Sequence, residues 1–491
     1  MRILHLDIDT LRADHLGCYG YHRATSPNID ALAERSVRFD NCHASDVPCL
    51  PSRTALLTGR FGIHNGVVNH GGTDADPTLD GATRGFWSTL HRTSFPTRLR
   101  AAGITPVTIS SFAARHSAFH WHAGFAETYD VGGYGLEVAD DVAAIAHDWL
   151  DRRGAADGWY LHVHLWDPHT PYRTPADYGD PFAGDALPGW LTDEVRARDW
   201  EGCGPHSAQE AFGFRLKPEL ASVFPRQPQQ MASMADVRAM FDGYDTGVRY
   251  ADDEVGRLLD HLDRLGVLED TAVLVSSDHG ETLGELNVYG DHQTADQLTT
   301  RVPFLLSWPG GDGQAPRVDA ALHYQFDVMA TVLELAGAKL PRNWDARSFL
   351  PAFVEGSDEG RDQLVVSQGA WTAQRSVRWG DHLLIRTFHD AFHLYPEVLL
   401  FDVVADPHEQ HDLAQAEPTL VADGLARLAA WEAEQLATSD TGIDPLANVV
   451  AEGGPFHTRG ELPTYLERLD ATGRRGLADA LRAKHARALD T

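Results

Sequence analysis

The chain has 491 residues, which is enough for more than one structural unit. Hydrophobic residues make up 43% and charged residues 23%, as in ordinary globular proteins, and the apolar runs are too short to span a bilayer. A formal net charge of -30 excludes a broad basic surface for nucleic acid. Almost all the positive charge is arginine, since the only lysines are Lys217, Lys339 and Lys484. Two origins of this bias stay open: a GC-rich genome and a salt-rich cytoplasm.

The amino-terminal sequence gives an expectation about location. It enters an apolar strand at once and has neither the basic stretch nor the cleavage site of a secretory signal. We therefore expect a cytoplasmic protein without a membrane partner, and the oligomeric state is left open. The cysteines, Cys18, Cys42, Cys49 and Cys203, are too few and too unevenly spaced for a disulfide framework, so we expect reduced thiols.

Helical and strand patterns alternate along the first part of the chain. Residues 2–9 predict a strand, and residues 26–39 predict the helix that follows. The stretches 93–111, 141–166 and 253–281 each predict a helix and then an apolar strand. This alternation is typical of an α/β fold with a large mixed, mostly parallel sheet and helices on both faces.

Three of the predicted strands end in acids and histidines. In sheets of this kind, functional residues gather beyond the carboxyl ends of the strands. The residues at those ends are Asp7 and Asp9, then His162, His164 and His169, then Asp278 and His279. We expect these groups to meet and to be able to hold a metal ion.

The pattern changes twice further along the chain. Residues 173–240 are rich in proline, glycine and polar residues, which favours an insertion and, from its length, a lid over a substrate. After the linker at 356–360 come short alternating runs and a helix from about 418 to 435. We therefore divide the chain into a domain of residues 1–360 and a smaller α+β subdomain, 365–491, with an antiparallel sheet.

The most specific motif begins at Cys49. Cys49–Arg53 reads Cys-Leu-Pro-Ser-Arg, and Thr58–Arg60 reads Thr-Gly-Arg. With Asp278–Glu281 at a strand end and Asp406–Glu409 in a hairpin, this double signature resembles the type I sulfatases of the alkaline phosphatase superfamily. The resemblance spans almost the whole chain. It implies an alkaline-phosphatase-like fold, a catalytic domain in residues 1–360, and hydrolysis of a sulfate monoester to alcohol and sulfate.

The resemblance implies that a formylglycine-generating enzyme oxidises Cys49 to formylglycine. Chemistry gives an independent reason for such a change. A serine would be left as a stable sulfate ester, whereas the geminal diol of the hydrated aldehyde keeps a second hydroxyl that expels sulfate. We therefore expect unmodified Cys49 to be nearly inactive. The alternative is an ordinary buried cysteine in front of a helix.

The resemblance also implies one divalent metal ion on Asp9, Asp278 and His279. A hard cation on oxygen ligands would activate the diol and offset the charge of sulfate. We expect Ca2+, with Mg2+ or Mn2+ as alternatives. The family usually has two adjacent acids at its first segment, whereas here Thr10 follows Asp9. Asp7, on the same strand face, either supplies the missing oxygen or lies behind the ligands.

Other residues are expected to hold the sulfate. The resemblance makes Arg53 the partner of the nucleophile and metal-site charges, and His169 a sulfate contact. Counting back from Arg301–Pro303 places His292 where many relatives have a lysine that binds sulfate. Because a histidine donates only in the right protonation state, this replacement predicts a pH dependence.

One family segment has no clear counterpart. Relatives carry a Lys-Trp-His segment that contacts sulfate and the leaving alcohol, and residues 110–122 contain no lysine. Arg115 and His116 are the nearest substitutes, Arg115 for binding and His116 as the acid. His120 and His122 compete for the acid role.

Two other functions stay open. The first is hydrolysis of phosphonate monoesters or phosphodiesters, because related enzymes with this activity also lack the second acid at the position of Thr10. A sulfatase-like binding protein without activity is less favoured because Cys49 and the metal residues are all present. The expected substrate is a small sulfate ester. Four tryptophans either form an aromatic rim for it or pack in the core: Trp121, Trp166, Trp190 and Trp200.

Overall fold

A computed structural model describes residues 1–79, 89–311 and 315–486. The strands are β1 (Arg2–Ile8), β2 (Val37–His43), β3 (Asp46–Val47), β4 (Thr105–Ile109), β5 (Glu127–Tyr129), β6 (Trp159–Leu165), β7 (Thr271–Ser276), β8 (Thr282–Leu283), β9 (Tyr289–Asp291), β10 (Phe304–Ser307), β11 (Arg317–Tyr324), β12 (Gln363–Gln368), β13 (Ala373–Trp379), β14 (His382–His389) and β15 (Val398–Asp402). The α-helices are α1 (Pro27–Ala33), α2 (Cys49–Thr58), α3 (Gly62–Asn65), α4 (Leu90–Thr93), α5 (Phe95–Ala101), α6 (Phe112–Arg115), α7 (Ala139–Arg153), α8 (Asp193–Trp200), α9 (Pro218–Ala221), α10 (Met234–Arg264), α11 (Gln297–Thr300), α12 (Gln325–Leu335), α13 (Leu350–Glu355), α14 (Pro418–Thr438), α15 (Pro445–Ala451), α16 (Leu462–Ala471) and α17 (Arg475–Lys484).

The larger sheet has eight strands in the order β11-β2-β10-β7-β1-β6-β4-β5. Strand β10 runs antiparallel to both of its neighbours, and the other neighbouring pairs are parallel. The predicted α/β class with a mostly parallel sheet is therefore confirmed. Strand β1 lies between β6 and β7, with Asp7 opposite His164 on one side and Ser276 on the other. The three polar strand ends consequently lie side by side.

The two faces of the sheet bury different residues of β1. Leu4, Leu6 and Ile8 pack in the core under α1, α7 and α10. Ile3 packs in the opposite core, with α2, α5 and α12. Because side chains alternate along a strand, Asp7 shares the face of Ile3 and α2. Alternation thus directs this carboxylate toward the helix that begins with Cys49.

The smaller sheet has the order β15-β14-β13-β12-β3. Strands β12 to β15 are antiparallel, and α14 packs on them, close to the helix expected from about 418 to 435. Strand β3 pairs in parallel with β12 although it directly precedes Cys49. The smaller sheet therefore contains strands from both sides of the predicted domain boundary near residues 360–365. The boundary itself stays a prediction. Residues 487–491 of the predicted subdomain lie outside the described residues. Within the described ranges, no helix is both long and apolar enough to cross a membrane.

Candidate active site

Cys49 is the first residue of α2, and it lines a cavity of about 730 Å³. The side chain is buried, and its Sγ lies 3.1 Å from His279 Nε2. Burial raises the pKa of the thiol, and the carboxylates of Asp9 and Asp278 raise it further. The unmodified thiol therefore stays protonated and is a poor nucleophile.

Ser52 ties α2 to the end of β7. Its Oγ donates to the carbonyl of Asp278 at 2.6 Å and accepts from Gln325 Nε2 at 2.7 Å. The serine of the Cys-Leu-Pro-Ser-Arg motif is thus a structural anchor. It fixes Cys49 relative to Asp278 and His279.

Arg53 lies behind the cavity with a guanidinium group surrounded by carboxylates. Its Nη1 donates to Asp7, its Nη2 donates to Asp9 Oδ2 at 3.0 Å, and its Nε lies 3.2 Å from Asp278 Oδ2. Burial alone would lower the pKa of Arg53, but Asp278, Asp7 and Asp9 raise it. The side chain is fully buried and holds these carboxylates at the ends of β1 and β7.

Four side chains form a buried cluster that could hold a metal ion. Asp9, Cys49, Asp278 and His279 each offer a ligand atom, and these atoms lie within 4.8 Å of one another. Asp9 Oδ1 and Asp278 Oδ2 are buried and have no hydrogen-bond partner among the described residues. Leaving a buried carboxylate oxygen without a hydrogen bond is costly. A divalent cation would satisfy Asp9 Oδ1 and would add to the ion pair of Asp278 Oδ2 with Arg53. The residues present therefore fit a hard cation.

Asp7 lies outside this cluster. Its Oδ2 accepts from Arg53 and lies 3.0 Å from His162 Nε2. Thr10, where the family usually has its second acid, adopts a left-handed backbone with φ 57° and donates its N–H to Asp278 Oδ1 at 3.3 Å. Two roles were open for Asp7. The geometry favours the role of a charge partner for Arg53 over that of a metal ligand.

Gly280 sets the position of His279. A Cβ at Gly280 would lie 1.9 Å from the carbonyl oxygen of Leu298, so a larger residue would force the loop away. The Gly280 carbonyl accepts from His279 Nδ1 at 2.8 Å. Because Nδ1 is used in this bond, Nε2 of His279 is left to face Cys49.

His169 and His292 both line the cavity, and their ring centroids are 5.3 Å apart. Burial lowers the pKa of His292 to about 3, with a further contribution from His279. Burial also lowers the pKa of His169 well below its usual value. Both imidazoles are therefore neutral near pH 7 before an anion enters.

The structure separates the four candidates in residues 110–122. Arg115 and His116 line the cavity. His120 Nε2 lies 2.9 Å from Thr54 Oγ1, and neither His120 nor His122 is among the described residues that line the cavity. Arg115 and His116 are thus the two that could contact a bound substrate.

An outer wall of the cavity is formed by four residues that meet only in the folded chain: His70, His116, Trp371 and His457. His70 Nδ1 lies 2.9 Å from His457 Nε2, and the His457 ring stacks on Trp371 with centroids 4.5 Å apart. His70 also contacts His116 edge to face at 4.9 Å. Sequence reasoning missed His70, Trp371 and His457 because they carry no local motif.

Of the two roles left open for the tryptophans, the structure favours packing. Trp121 and Trp166 are buried in the core, and Trp190 stacks on His408 with ring centroids 4.5 Å apart. Among the described residues that line the cavity, the tryptophan is Trp371. A tryptophan pattern in the sequence could not identify the rim because most tryptophans of this chain are used for packing.

Residues 173–240 contact residues that line the cavity but do not line it themselves. Of the described residues that line the cavity, none belongs to this segment. Gln227 Oε1 accepts from Thr170 Oγ1 at 2.8 Å, and His206 Nε2 lies 2.9 Å from Asp291 Oδ2. Thr170 and Asp291 both line the cavity, so the segment supports its wall, and a lid role stays a prediction.

The mostly parallel sheet and the buried cluster at its strand ends define a hydrolase of the alkaline phosphatase-like class. The sulfatase family matches residues 2–338, and the chain therefore belongs to the sulfatase family, whose members hydrolyse sulfate esters. An ulvan-active sulfatase of Formosa agariphila is 25% identical over 433 residues, covering 84% of this chain and 76% of the relative. A choline-sulfatase of Rhizobium meliloti is 26% identical over 453 residues, covering 83% and 82%.

Solved structures share the fold. A protein solved in complex with its substrate D-glucosamine-2-N,6-O-disulfate has a TM-score of 0.70 at 19% identity, covering 91% of this chain and 99% of that one. The phosphonate monoester hydrolase of Agrobacterium radiobacter has a TM-score of 0.67 at 18% identity, covering 88% and 96%. At these sequence identities the similarity shows a shared fold, and the substrate has to be inferred from the residues of the cavity.

Proposed function

We propose that this protein hydrolyses a sulfate monoester with a formylglycine made from Cys49 as its nucleophile. The observation that carries the proposal is the buried cluster of Cys49, Asp9, Asp278 and His279, which opens through Cys49 into the cavity. A cavity of about 730 Å³ has the size of a small-molecule site. Hydration of the aldehyde supplies a geminal diol, in which one hydroxyl attacks and the other allows sulfate to leave.

We propose that Asp9, Asp278 and His279 hold one divalent cation, with Ca2+ as the first candidate and Mg2+ or Mn2+ as alternatives. When bound, the cation lowers the pKa of the attacking hydroxyl and offsets the charge of the sulfate. Arg53 keeps Asp9 and Asp278 in place and compensates their charge through the contacts described above.

His169 and His292 are the proposed sulfate contacts. The Nδ1 of His169 donates to the carbonyl of Thr170, which leaves Nε2 facing a potential ligand. A sulfate oxygen nearby would raise the pKa of the imidazole and favour the form in which both nitrogens donate. Binding of the anion thereby creates the donor that holds it.

His116 is the proposed acid for the leaving alcohol. Its Nε2 is buried and has no hydrogen-bond partner among the described residues. Arg115 lines the cavity beside it, donates from Nη1 to the carbonyl of Tyr134 at 3.2 Å, and is the proposed second contact to sulfate. Burial lowers the pKa of His116 well below its usual value, and a bound sulfate would raise it, so the acid form of His116 belongs to the substrate complex.

The proposed substrate is a small sulfate ester of an uncharged alcohol. Among the described residues that line the cavity, Arg115 is the one cation, while the outer wall consists of histidines and an indole. Such a wall hydrogen-bonds and stacks on an alcohol but has little to pair with further sulfate groups. The partnership with a formylglycine-generating enzyme and the cytoplasmic location remain our proposals.

The test uses protein co-expressed with a formylglycine-generating enzyme. Peptide mass should show Cys49 as the aldehyde or its hydrate, and this protein should release sulfate from a small aryl sulfate. Chelation should abolish turnover, and readdition of Ca2+, Mg2+ or Mn2+ should rank the metals. An aldehyde-bearing, metal-loaded protein that releases no sulfate from any small ester would contradict the proposal.

A phosphonate monoester or phosphodiester hydrolase is the second candidate. The observation in its favour is the missing acid at Thr10 together with the position of Asp7 outside the cluster, which contains two aspartates, Asp9 and Asp278. A less negative cluster accepts a phosphoryl group more easily. Comparing the kcat/KM of one preparation on an aryl sulfate, an aryl phosphonate ester and an aryl phosphodiester decides between them.

A further inference from the structure

A second group of potential ligands overlaps the first one at the bottom of the cavity. Cys49, His279 and His292 are all buried, and their ligand atoms lie within 4.8 Å of one another. This group shares Cys49 and His279 with the aspartate-containing cluster and differs from it in donor chemistry. It offers a sulfur and two imidazole nitrogens, where the other offers carboxylate oxygens.

Both imidazoles have their other ring nitrogen engaged. His279 Nδ1 donates to the Gly280 carbonyl at 2.8 Å, and His292 Nδ1 lies 3.2 Å from Glu281 Oε2. Metal-binding histidines typically contact a carbonyl or carboxylate through the nitrogen that does not bind the metal. The contacts leave Nε2 available in both rings, and that of His279 lies 3.1 Å from Cys49 Sγ.

We propose that the chain in which Cys49 is still a thiol binds Zn2+ through Cys49, His279 and His292. Thiolate and imidazole are the ligands that Zn2+ prefers in proteins, whereas Ca2+ prefers oxygen. Binding replaces the S–H bond by a sulfur–zinc bond and releases the proton to solvent, without any oxidation or reduction. Asp9 or Asp278, each with one oxygen that accepts no hydrogen bond among the described residues, lies close enough to Cys49 and His279 to be a fourth ligand.

The proposal makes the chemical state of Cys49 the determinant of metal selectivity. Conversion of the thiol to an aldehyde removes the soft donor and puts oxygen in its place. The remaining oxygen donors of Asp9 and Asp278 then favour a hard cation. Unconverted chains would therefore carry zinc and stay inactive, and converted chains would select calcium or magnesium.

The experiment uses full-length protein made without a formylglycine-generating enzyme, with the thiol of Cys49 confirmed by mass and metals removed. Co2+ serves as the spectroscopic probe for Zn2+. We expect one Co2+ per chain with a thiolate-to-cobalt charge-transfer band, which stoichiometric Zn2+ removes and excess Ca2+ does not. Absence of the band, or its removal by Ca2+ as readily as by Zn2+, would overturn the proposal.

Variants test the individual ligands. Cys49→Ser should lose the charge-transfer band, and His292→Gln should weaken Zn2+ binding in a chelator competition. Glu281→Gln changes only the group behind His292 and should weaken binding by about 10- to 100-fold. The matched control is His169→Gln, whose ring lies in the same cavity but outside the group, and which should bind Zn2+ like the parent.

Folding of each metal-free variant is checked by its near-ultraviolet circular dichroism. A folded His292→Gln or Glu281→Gln protein with unchanged zinc affinity would contradict the assignment of His292. The measurements involve only the thiol form, whereas sulfate release is measured on the aldehyde form. Failure of the zinc proposal and failure of the proposed hydrolysis are therefore distinguishable.

Discussion

The bottom of the cavity and its outer wall are built in opposite ways. At the bottom, Asp9, Arg53 and Asp278 are buried charges that pair with one another at neighbouring strand ends. The outer wall of His70, His116, Trp371 and His457 is assembled from loops, and the one with Trp371 joins β12 to β13 of the smaller sheet. Burial lowers the pKa of His457 to about 4 and that of His116 well below its usual value, so these wall imidazoles are neutral near pH 7. Charge is thus concentrated where sulfate would react, and the wall is left to recognise the alcohol.

This division matters because the chain carries a net charge of -30. A strongly acidic protein repels an anionic substrate unless positive charge is placed locally. Arg115 and a cation on Asp9 and Asp278 would supply that charge close to Cys49. We therefore expect changes at the bottom of the cavity, or at the proposed acid His116, to abolish activity or folding. Changes at His70, Trp371 and His457 should shift substrate preference.

Cys49→Ala should have the largest effect. Removal of the nucleophile should lower kcat by at least about 10³-fold, measured by sulfate release from an aryl sulfate. The control is Cys18→Ala, since Cys18 is a half-buried free thiol away from the cavity. Appreciable turnover by a folded Cys49→Ala protein would remove Cys49 from the mechanism.

Arg53→Met should be the next most damaging change. It leaves the carboxylates of Asp7, Asp9 and Asp278 buried without their counter-ion, which costs about 3–5 kcal/mol of unfolding free energy. Denaturant unfolding measures the loss. Arg375→Met is the matched control, because Arg375 is equally buried in the smaller sheet and pairs with Glu432 and Asp444.

The two arginine variants compare the bottom of the cavity with a buried ion pair of the smaller sheet. Both should lose stability, but a divalent cation should restore part of it only to Arg53→Met, because only there are metal-competent carboxylates left unpaired. Equal responses to the cation would mean that the bottom of the cavity is an ordinary buried ion-pair network.

Asp46 lies in the short strand β3, which precedes Cys49 and pairs with β12 of the smaller sheet. Its carboxyl group should make the stability of the protein depend on pH. Burial raises its pKa from 3.8 to about 7, although its Oδ2 accepts from Gly62 N–H and Ser45 Oγ. Because the folded pKa is the higher one, the folded state binds the extra proton between about pH 4 and about pH 7. The contribution to stability is present below this window and lost as pH rises through it.

The variant Asp46→Asn tests this expectation. Relative to the variant, the unfolding free energy of the parent should fall across the window by about 1.4 kcal/mol per unit of pKa shift. Denaturant melts at several pH values measure the difference. A constant difference from pH 4 to pH 8 would show that Asp46 titrates at its ordinary pKa.

His457→Phe should have the smallest effect. It keeps the stack on Trp371 but removes the contact with His70, worth about 0.5–1.5 kcal/mol. We expect a rise in KM of about 3- to 10-fold with little change in kcat. His457→Gln, which retains a donor, should restore part of the loss. A fall in kcat at unchanged KM would instead place His457 in the chemical step.

The sequence by itself determined the fold class and the bottom of the cavity. Hydrophobic periodicity predicts strands β1, β6 and β7, and parallel strands bring their carboxyl ends to one edge. Cys49, the proposed nucleophile, lies at the start of α2. The strand order confirms that β1 lies between β6 and β7, whereas the roles of the residues at these strand ends stay predictions.

Only the tertiary structure decided the role of Asp7 and the composition of the wall. Asp7 and Asp9 have equivalent positions in the strand pattern and both accept from Arg53. They differ because only Asp9 joins the cluster of potential ligands with Cys49, Asp278 and His279. His70 and His457 are 387 positions apart and meet because the chain returns from the smaller sheet to the mouth of the cavity. Local periodicity carries no information about such a meeting, because packing between distant segments depends on the arrangement of the whole chain.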